Sequence, residues 1–413
     1  MSSSAAEKKT TDPAVSEKKI AGLHRNVFFT GLVSLFMDFS SEMIYPLVPI
    51  FLSSVLGVNK SVIGLIEGIA ESSAALTKVF SGWFSDLIGK RKILLIIGYG
   101  ISTLSRPLIA VSTTWHQVLT FRFVDRVGKG IRGAPRDAII AESSRREHIG
   151  RSFGFQRAMD TFGAVLGPSA AFVILTLAPH DYRLVFWLSA IPGAIAVLVI
   201  IAFIREKRPA AAASGRPVLS LKTFDWRFKA FVAITFLFAA GNSSDVFLVL
   251  KASSVGVKGT HIPLLYLAFN GVYALTSYPA GVLSDRIGRK RIILAGFILF
   301  GFVYWGFAAA ADIPHIWGLF LLYGVFMGLT EGVQKAYLGT IIPDDAKATG
   351  YGIYNTAVGL AAFPASVIAG QLWDRIGPSA VFYYGSAAAF VAAILFMIIF
   401  GLDAWKKEAQ QAT

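Results

Sequence analysis

The chain has no cysteine among its 413 residues, which excludes disulfide frameworks, thiolate metal sites, iron–sulfur clusters and cysteine nucleophiles. Charge is also scarce. Asp, Glu, Lys and Arg together make up 15%, where a soluble globular domain carries about 25%. There are six histidines, none in an H-x-x-x-H pair, and G-x-x-x-x-G-K-[ST] does not occur, so a resident metal or an ATP-driven motor finds no support and an enzyme little. The string Gly128-Lys129-Gly130-Ile131-Arg132-Gly133 satisfies G-x-G-x-x-G, but no strand precedes it and it lies inside a long helical run, so dinucleotide binding fails its context. What the chain has in abundance is apolar residues, 54% AVILMFWYC, with a mean hydropathy of +0.60.

A membrane-spanning helix needs about 20 predominantly apolar residues. Uncharged runs of that length stand at 184–204, 292–311, 348–373 and 376–402. Runs interrupted by isolated charges stand at 27–53, 61–85, 93–113, 115–142, 152–178, 229–253, 259–284 and 315–342. The pattern predicts an all-α integral membrane protein of twelve transmembrane helices. Short polar turns such as Gly57-Val58-Asn59-Lys60, Pro179-His180-Asp181 and Asp312-Ile313-Pro314 make successive helices antiparallel neighbours.

The net charge of +14 would suggest nucleic acid in a soluble protein; here its distribution gives another reason. With both termini cytoplasmic, 25 Lys and Arg fall in inside segments and four, Lys60, Arg183, Lys258 and Arg375, in outside turns. The positive-inside rule then fixes the orientation of a multi-pass protein of the inner (cytoplasmic) membrane, and the basic excess calls for no nucleic-acid partner. Residues 1–24 lack an apolar core and read as a disordered cytoplasmic tail, not a signal peptide. The stretch 205–226, with Pro209, Gly215 and Pro217, is expected to be a cytoplasmic linker between six-helix units at 25–204 and 227–404, and 405–413 a second tail.

The two units echo each other. Gly82-Trp83-Phe84-Ser85-Asp86-Leu87-Ile88-Gly89-Lys90-Arg91-Lys92 matches Gly281-Val282-Leu283-Ser284-Asp285-Arg286-Ile287-Gly288-Arg289-Lys290-Arg291. Ser40-Ser41-Glu42 in the first span matches Ser243-Ser244-Asp245 in the seventh, and Trp115, Ile139, Ile140 and Glu142 match Trp317, Ile341, Ile342 and Asp344. Duplicated helical units are a feature of secondary transporters, with the substrate site at the interface of the repeats.

On these residues the chain resembles the major facilitator superfamily over 25–404. That family's loop between helices 2 and 3 carries Gly-x-x-x-Asp-Arg/Lys-x-Gly-Arg/Lys-Arg/Lys. The first copy here is Gly82, Asp86, Gly89, Lys90 and Arg91, with Leu87 in place of a basic residue; the second, Gly281, Asp285, Arg286, Gly288, Arg289 and Lys290, is complete. The resemblance implies two pseudo-symmetric six-helix bundles, a functional monomer, and rocker-switch transport of a small molecule. It also implies that the motif loops are gating machinery, latching the halves in the outward-facing state. A plain topogenic cluster is the alternative for these loops. Gly163, Gly167 and Pro168 in the fifth span resemble the Gly-x-x-x-Gly-Pro signature of drug and metabolite antiporters; physically they need only allow tight packing and a bend.

Ionisable groups inside a membrane are costly, about 2.5–3.5 kcal/mol each on insertion scales, and so mark function. They concentrate in spans 1, 4, 7 and 10, the helices that line the central cavity in the family, although Arg106 in span 3 departs from that pattern. Asp38 and Glu42 are four apart on one helix face and are the first choice for proton coupling, with Asp245 second. Protons reaching them would weaken their pairing to Arg122 or Arg126, with the proton gradient as energy source and no cofactor. Fixed ion pairs between helices are the alternative for these carboxylates. Arg122, Arg126, Lys129 and Arg136 form one basic stripe, either a site for an anionic substrate group or a ladder paired with Asp125, Asp137, Asp86 and the first span's carboxylates. Glu67, Glu71 and Lys78 read as structural or entrance-lining. Asn242, Asn270, Glu331, Lys335, Tyr45 and Tyr337 complete the candidate cavity. The expected activity is proton-coupled antiport exporting a drug or metabolite; the alternative is proton-coupled uptake of an organic anion.

Overall fold

The computed structural model of the chain describes residues 19–20, 22–88, 90–144, 149–206, 224–343 and 347–401. In lipid the backbone must satisfy its own hydrogen bonds, and the apolar runs do so as helices. The first half comprises α1 (Arg25–Ile44), α2 (Val48–Ile50), α3 (Lys60–Ile88), α4 (Arg91–Ala110), α5 (Trp115–Glu142), α6 (Ile149–Leu177) and α7 (Tyr182–Phe203). The second comprises α8 (Trp226–Gly241), α9 (Val246–Ser254), α10 (Ile262–Ile287), α11 (Arg289–Ala309), α12 (Ile313–Ile341), α13 (Lys347–Arg375) and α14 (Pro378–Phe396). Among the described residues nine helical stretches are long and apolar enough to cross a membrane; α3, α5 and α10 complete the twelve crossings. The turns found in the sequence start helices by capping: Asp181 accepts from the Leu184 amide at 3.0 Å and Asp312 from that of His315 at 3.0 Å.

Three expectations are corrected. The first and seventh spans are not continuous helices. Tyr45-Pro46-Leu47 separates α1 from α2, which runs on through a π turn to Val55, because Pro46 and Pro49 donate no amide. Asn242 to Asp245 separate α8 from α9. The tail expected to be disordered ends in an antiparallel pair, Lys19–Ile20 with Leu23–His24, turned by Gly22 at φ +74°; residues 1–18, like 207–223 of the linker and 402–413, lie outside the described residues.

Each half packs chiefly within itself, α1 on α6 and α7, α5 on α3 and α4, α10 on α12, and α11 on α14. Between halves α3 meets α13 and α6 meets α10, and the short α2 touches the short α9. The α3–α13 seam needs glycine: a Cβ on Gly64 would lie 2.2 Å from the Ser366 carbonyl oxygen, and one on Gly370 2.5 Å from that of Lys60. At the seam's end Asp374 of α13 accepts from the Lys60 and Ser61 amides at 3.1 and 2.6 Å, so one half caps a helix of the other.

Around these contacts one hydrophobic core joins both halves, Leu47, Phe51 and Leu52 with Phe247, Val249 and Leu250. At the opposite end the first half keeps separate clusters, such as Val33, Met37, Leu95 and Tyr99. The halves therefore meet at the end of the 57–60 turn and part toward the end of the motif loops.

In the second motif copy Gly288, at φ +101°, is the single residue between α10 and α11, a conformation that favours glycine. Asp285 pairs with Arg289 at 3.0 Å, Arg289 donates to the Ala336 carbonyl at 3.0 Å and Lys290 to that of Phe400 at 3.2 Å, all within the second half. Arg286 and Lys90 are exposed, and Arg91 pairs with Glu142. Gly281 lies in the last turns of α10. Of the first copy, Gly82 and Asp86 lie in α3, and Gly89 lies outside the described residues.

Candidate functional site

Between the parted halves lies a cavity of about 720 Å³. Its first-half wall carries eight cations and five carboxylates, among them Asp38, Glu42, Glu71, Lys129 and Arg157. Its second-half wall carries Asp245 and Glu331 with Tyr266, Phe269, Asn270, Tyr273 and Met327.

The basic stripe of α5 is partly neutralised, at Arg136 by the expected Asp137 but at Arg122 and Arg126 by carboxylates of α3. One nitrogen of Arg122 donates to both oxygens of Glu67 at 2.5 and 2.6 Å, with side chains 2% and 1% exposed. Arg126 pairs with Glu71 at 3.0 Å. Asp38 and Glu42 pair with neither arginine, which corrects the expected pairing. Glu67 and Glu71 are one turn apart on α3, as Arg122 and Arg126 are on α5, so two side-by-side helices exchange charges rung for rung. That matched i, i+4 spacing is the signal in the sequence. Arg136 pairs with its neighbour Asp137 at 2.9 Å.

Asp38 and Glu42 face the cavity with no cation within 4.0 Å among the described residues; the charges acting on Glu42 are Asp38, Lys129, Arg126 and Asp245. They sit where α6 closes on α1. A Cβ on Gly163 would lie 2.4 Å from the Leu35 carbonyl oxygen, and one on Gly167 2.7 Å from the Glu42 Cβ. The small residues before Pro168 thus seat α6 at the level of the two carboxylates. Asp245, the repeat mate of Glu42, is held by neutral donors instead, Tyr323 at 2.7 Å and Tyr266 at 3.3 Å.

Tyr45, at the break of the first span, lies over the guanidinium groups of Arg122 and Arg126 at 5.6 and 5.5 Å and meets Tyr266 of the other half edge-on at 5.7 Å. Across the cavity Arg157 donates to the Tyr273 hydroxyl at 2.9 Å, and that hydroxyl donates to Glu331. Arg157 and Asp160, which cancel in a charge tally, are cavity residues that sequence reasoning passes over.

Three expected cavity residues lie off the lining. Tyr337 is buried among Phe231, Phe396 and Phe400, with ring centroids 5.1 to 6.4 Å away. Asn242 ends α8 and accepts from the Tyr304 hydroxyl at 3.1 Å. Lys335, half-exposed and one turn further along α12, pairs with Glu331 at 3.0 Å. Arg106, 1% exposed, reaches the cavity from α4 and donates to Ser40 and, at 3.1 Å, to the Met37 sulfur. Among the described residues no group of three or more His, Asp or Glu is arranged to hold a metal ion.

The Major Facilitator Superfamily model matches residues 30–248 and again 230–413, one match for each half. An uncharacterized MFS-type transporter of Methanocaldococcus jannaschii is 37% identical over 383 residues, covering 91% of this chain and 95% of its own. The multidrug resistance protein MdtG of Enterobacter lignolyticus is 25% identical over 288 residues, 67% of this chain and 68% of its own. Among solved structures the nucleoside transporter NupG superposes with a TM-score of 0.76 at 14% identity, covering 91% of this chain and 99% of that one. These matches agree with the duplicated helices, the two motif copies and the cavity between the halves: the chain belongs to the major facilitator superfamily and is a multi-pass membrane transporter.

Proposed function

We propose that the protein is a proton-coupled antiporter that exports a small organic molecule, working as a monomer in the cytoplasmic membrane with both termini inside. The observation that carries the coupling is the pair Asp38 and Glu42, which lines the cavity with no cation within 4.0 Å among the described residues, while the nearby arginines are held by Glu67 and Glu71. Carboxylates without a fixed counter-ion, set in a cavity between two halves, can take a proton on one side of the membrane and release it on the other. The relation to a multidrug resistance protein and the seating of α6 against these carboxylates favour export. In this reading the end of the 57–60 turn faces outside, and the structure is the inward-open state, in which the motif loops are unlatched.

The test is proton movement in everted, respiring vesicles, followed by a pH-quenched dye while a panel of drugs and metabolites is added. A substrate should release the quench, and the Asp38→Asn, Glu42→Gln double variant should abolish that release at equal protein level. Normal release by the variant would overturn the assignment. The basic first-half wall favours a second reading, uptake of an organic anion, which would show instead as alkalinisation outside right-side-out vesicles when an organic acid is added.

A further inference from the structure

Two rungs between α3 and α5 are filled, and the next two positions have a different composition. Gly130 lies against Ala74 and Thr77, where a Cβ on it would be 2.9 Å from the Ala74 carbonyl oxygen and 2.5 Å from the Thr77 Cβ. Gly133 lies beside Lys78, where a Cβ would be 3.5 Å from the lysine Cε. The register set by Glu67 with Arg122 and Glu71 with Arg126 therefore continues, with positions 74 and 75 opposite 129 and position 78 opposite 133. At the third level α5 supplies Lys129, but α3 supplies only alanine. At the fourth, one turn or about 6 Å further on, α3 supplies Lys78 and α5 a glycine.

Ala74, Ala75, Lys78, Lys129 and Gly133 all line the cavity. Among the described residues neither ammonium has a carboxylate within 4.0 Å. The charges acting on Lys129 are Arg126, Glu71, Arg132 and Asp38, of which Glu71 is already taken by Arg126 and the arginines repel. An ammonium inside the membrane without a counter-ion is costly, and two that line the same cavity, one turn apart along the α3–α5 seam, form a site for an anion.

We propose that the substrate completes the third rung: an organic carboxylate whose head group lies between Lys129 and Lys78, in the place a glutamate at 74 would take. Its apolar body lies against Phe269, Tyr273 and Met327 on the opposite wall. Asp245 and Glu331 on that wall turn the head group toward the first half. The inference rests on the cavity being the transport path, and it does not depend on proton coupling.

The test is thermal unfolding of the purified full chain in detergent, with benzoate as the probe and benzyl alcohol as its uncharged match. Benzoate should raise Tm saturably and benzyl alcohol should not. Lys129→Met and Ala74→Glu should each weaken the apparent Kd about tenfold or more, the worth of one charge-assisted contact. The two variants alter the gap in opposite senses, one removing the cation and the other supplying the missing carboxylate. Ala74→Glu should also melt no lower than the wild type without benzoate, which shows that its lost response is not misfolding. No benzoate shift in the wild type, or equal shifts in the wild type and both variants, would overturn the assignment. Because the assay uses no proton gradient, a protein that moves no protons still shows the shift, so the two proposals fail separately.

Discussion

The two halves carry copies of the same motifs and are held together by different physics. In the first half the helices facing the cavity exchange charges, with Glu67–Arg122 buried and Glu71–Arg126 at the cavity edge. In the second, the same role falls to aromatic rings. Phe300 stacks on Tyr304 at 4.0 Å and meets Phe238 and Phe326 at 4.8 Å each, and Asp245 is satisfied by tyrosine hydroxyls. A charge network has members that matter only as pairs, whereas a packed aromatic cluster loses stability in proportion to what is cut away. In the proposed cycle a proton or an anion passing the first half would rearrange its pairs, whereas the second half presents a packed aromatic wall.

The largest effect is expected from Glu67→Ala, which strands Arg122 in the interior and should cost about 3–5 kcal/mol, read as a fall in Tm in detergent. Combining it with Arg122→Met should restore most of the loss, since removing both charges removes the unpaired one. Phe300→Ala should cost about 3 kcal/mol through the cavity it leaves, and no second substitution of opposite charge will rescue it. Asp245→Asn keeps an acceptor for Tyr323 and Tyr266, so unfolding should shift by only about 1 kcal/mol; a loss as large as that of Glu67→Ala would erase the contrast between the halves. Smallest is Asp374→Ala, which uncaps α3 at a solvent-exposed site for about 0.5–1 kcal/mol. Its signature is faster hydrogen exchange at the Lys60 and Ser61 amides with Tm nearly unchanged.

Much of this architecture is legible in the sequence because it is written locally. Twelve apolar runs, capping residues such as Asp181 and Asp312, and two copies of one loop motif need no knowledge of which helices touch. Pairing is not local. The sequence points Arg122 toward Asp38 and Glu42 because those carboxylates stand out, yet its partner lies on α3, and only the equal spacing of 67/71 and 122/126 hints at it. Tyr337 goes astray because α12 is apolar around most of its circumference, so its periodicity does not say which face meets the cavity. The breaks at Tyr45–Leu47 and Asn242–Asp245 are marked by Pro46, Pro49 and Gly241, but hydropathy alone runs through them.

Those two breaks also stand at matching places in the two halves. In each half the i to i−4 ladder is interrupted just where the proposed coupling carboxylate stands, Glu42 one turn before the first break and Asp245 at the close of the second. The short pieces beyond, α2 and α9, touch each other across the closed end. A segment joined through non-helical backbone need not follow the axis of the rod it grew from, so α2 and α9 take their direction from each other and from the core they share. The two carboxylates proposed to couple protons therefore stand beside backbone breaks and not in the middle of a rod.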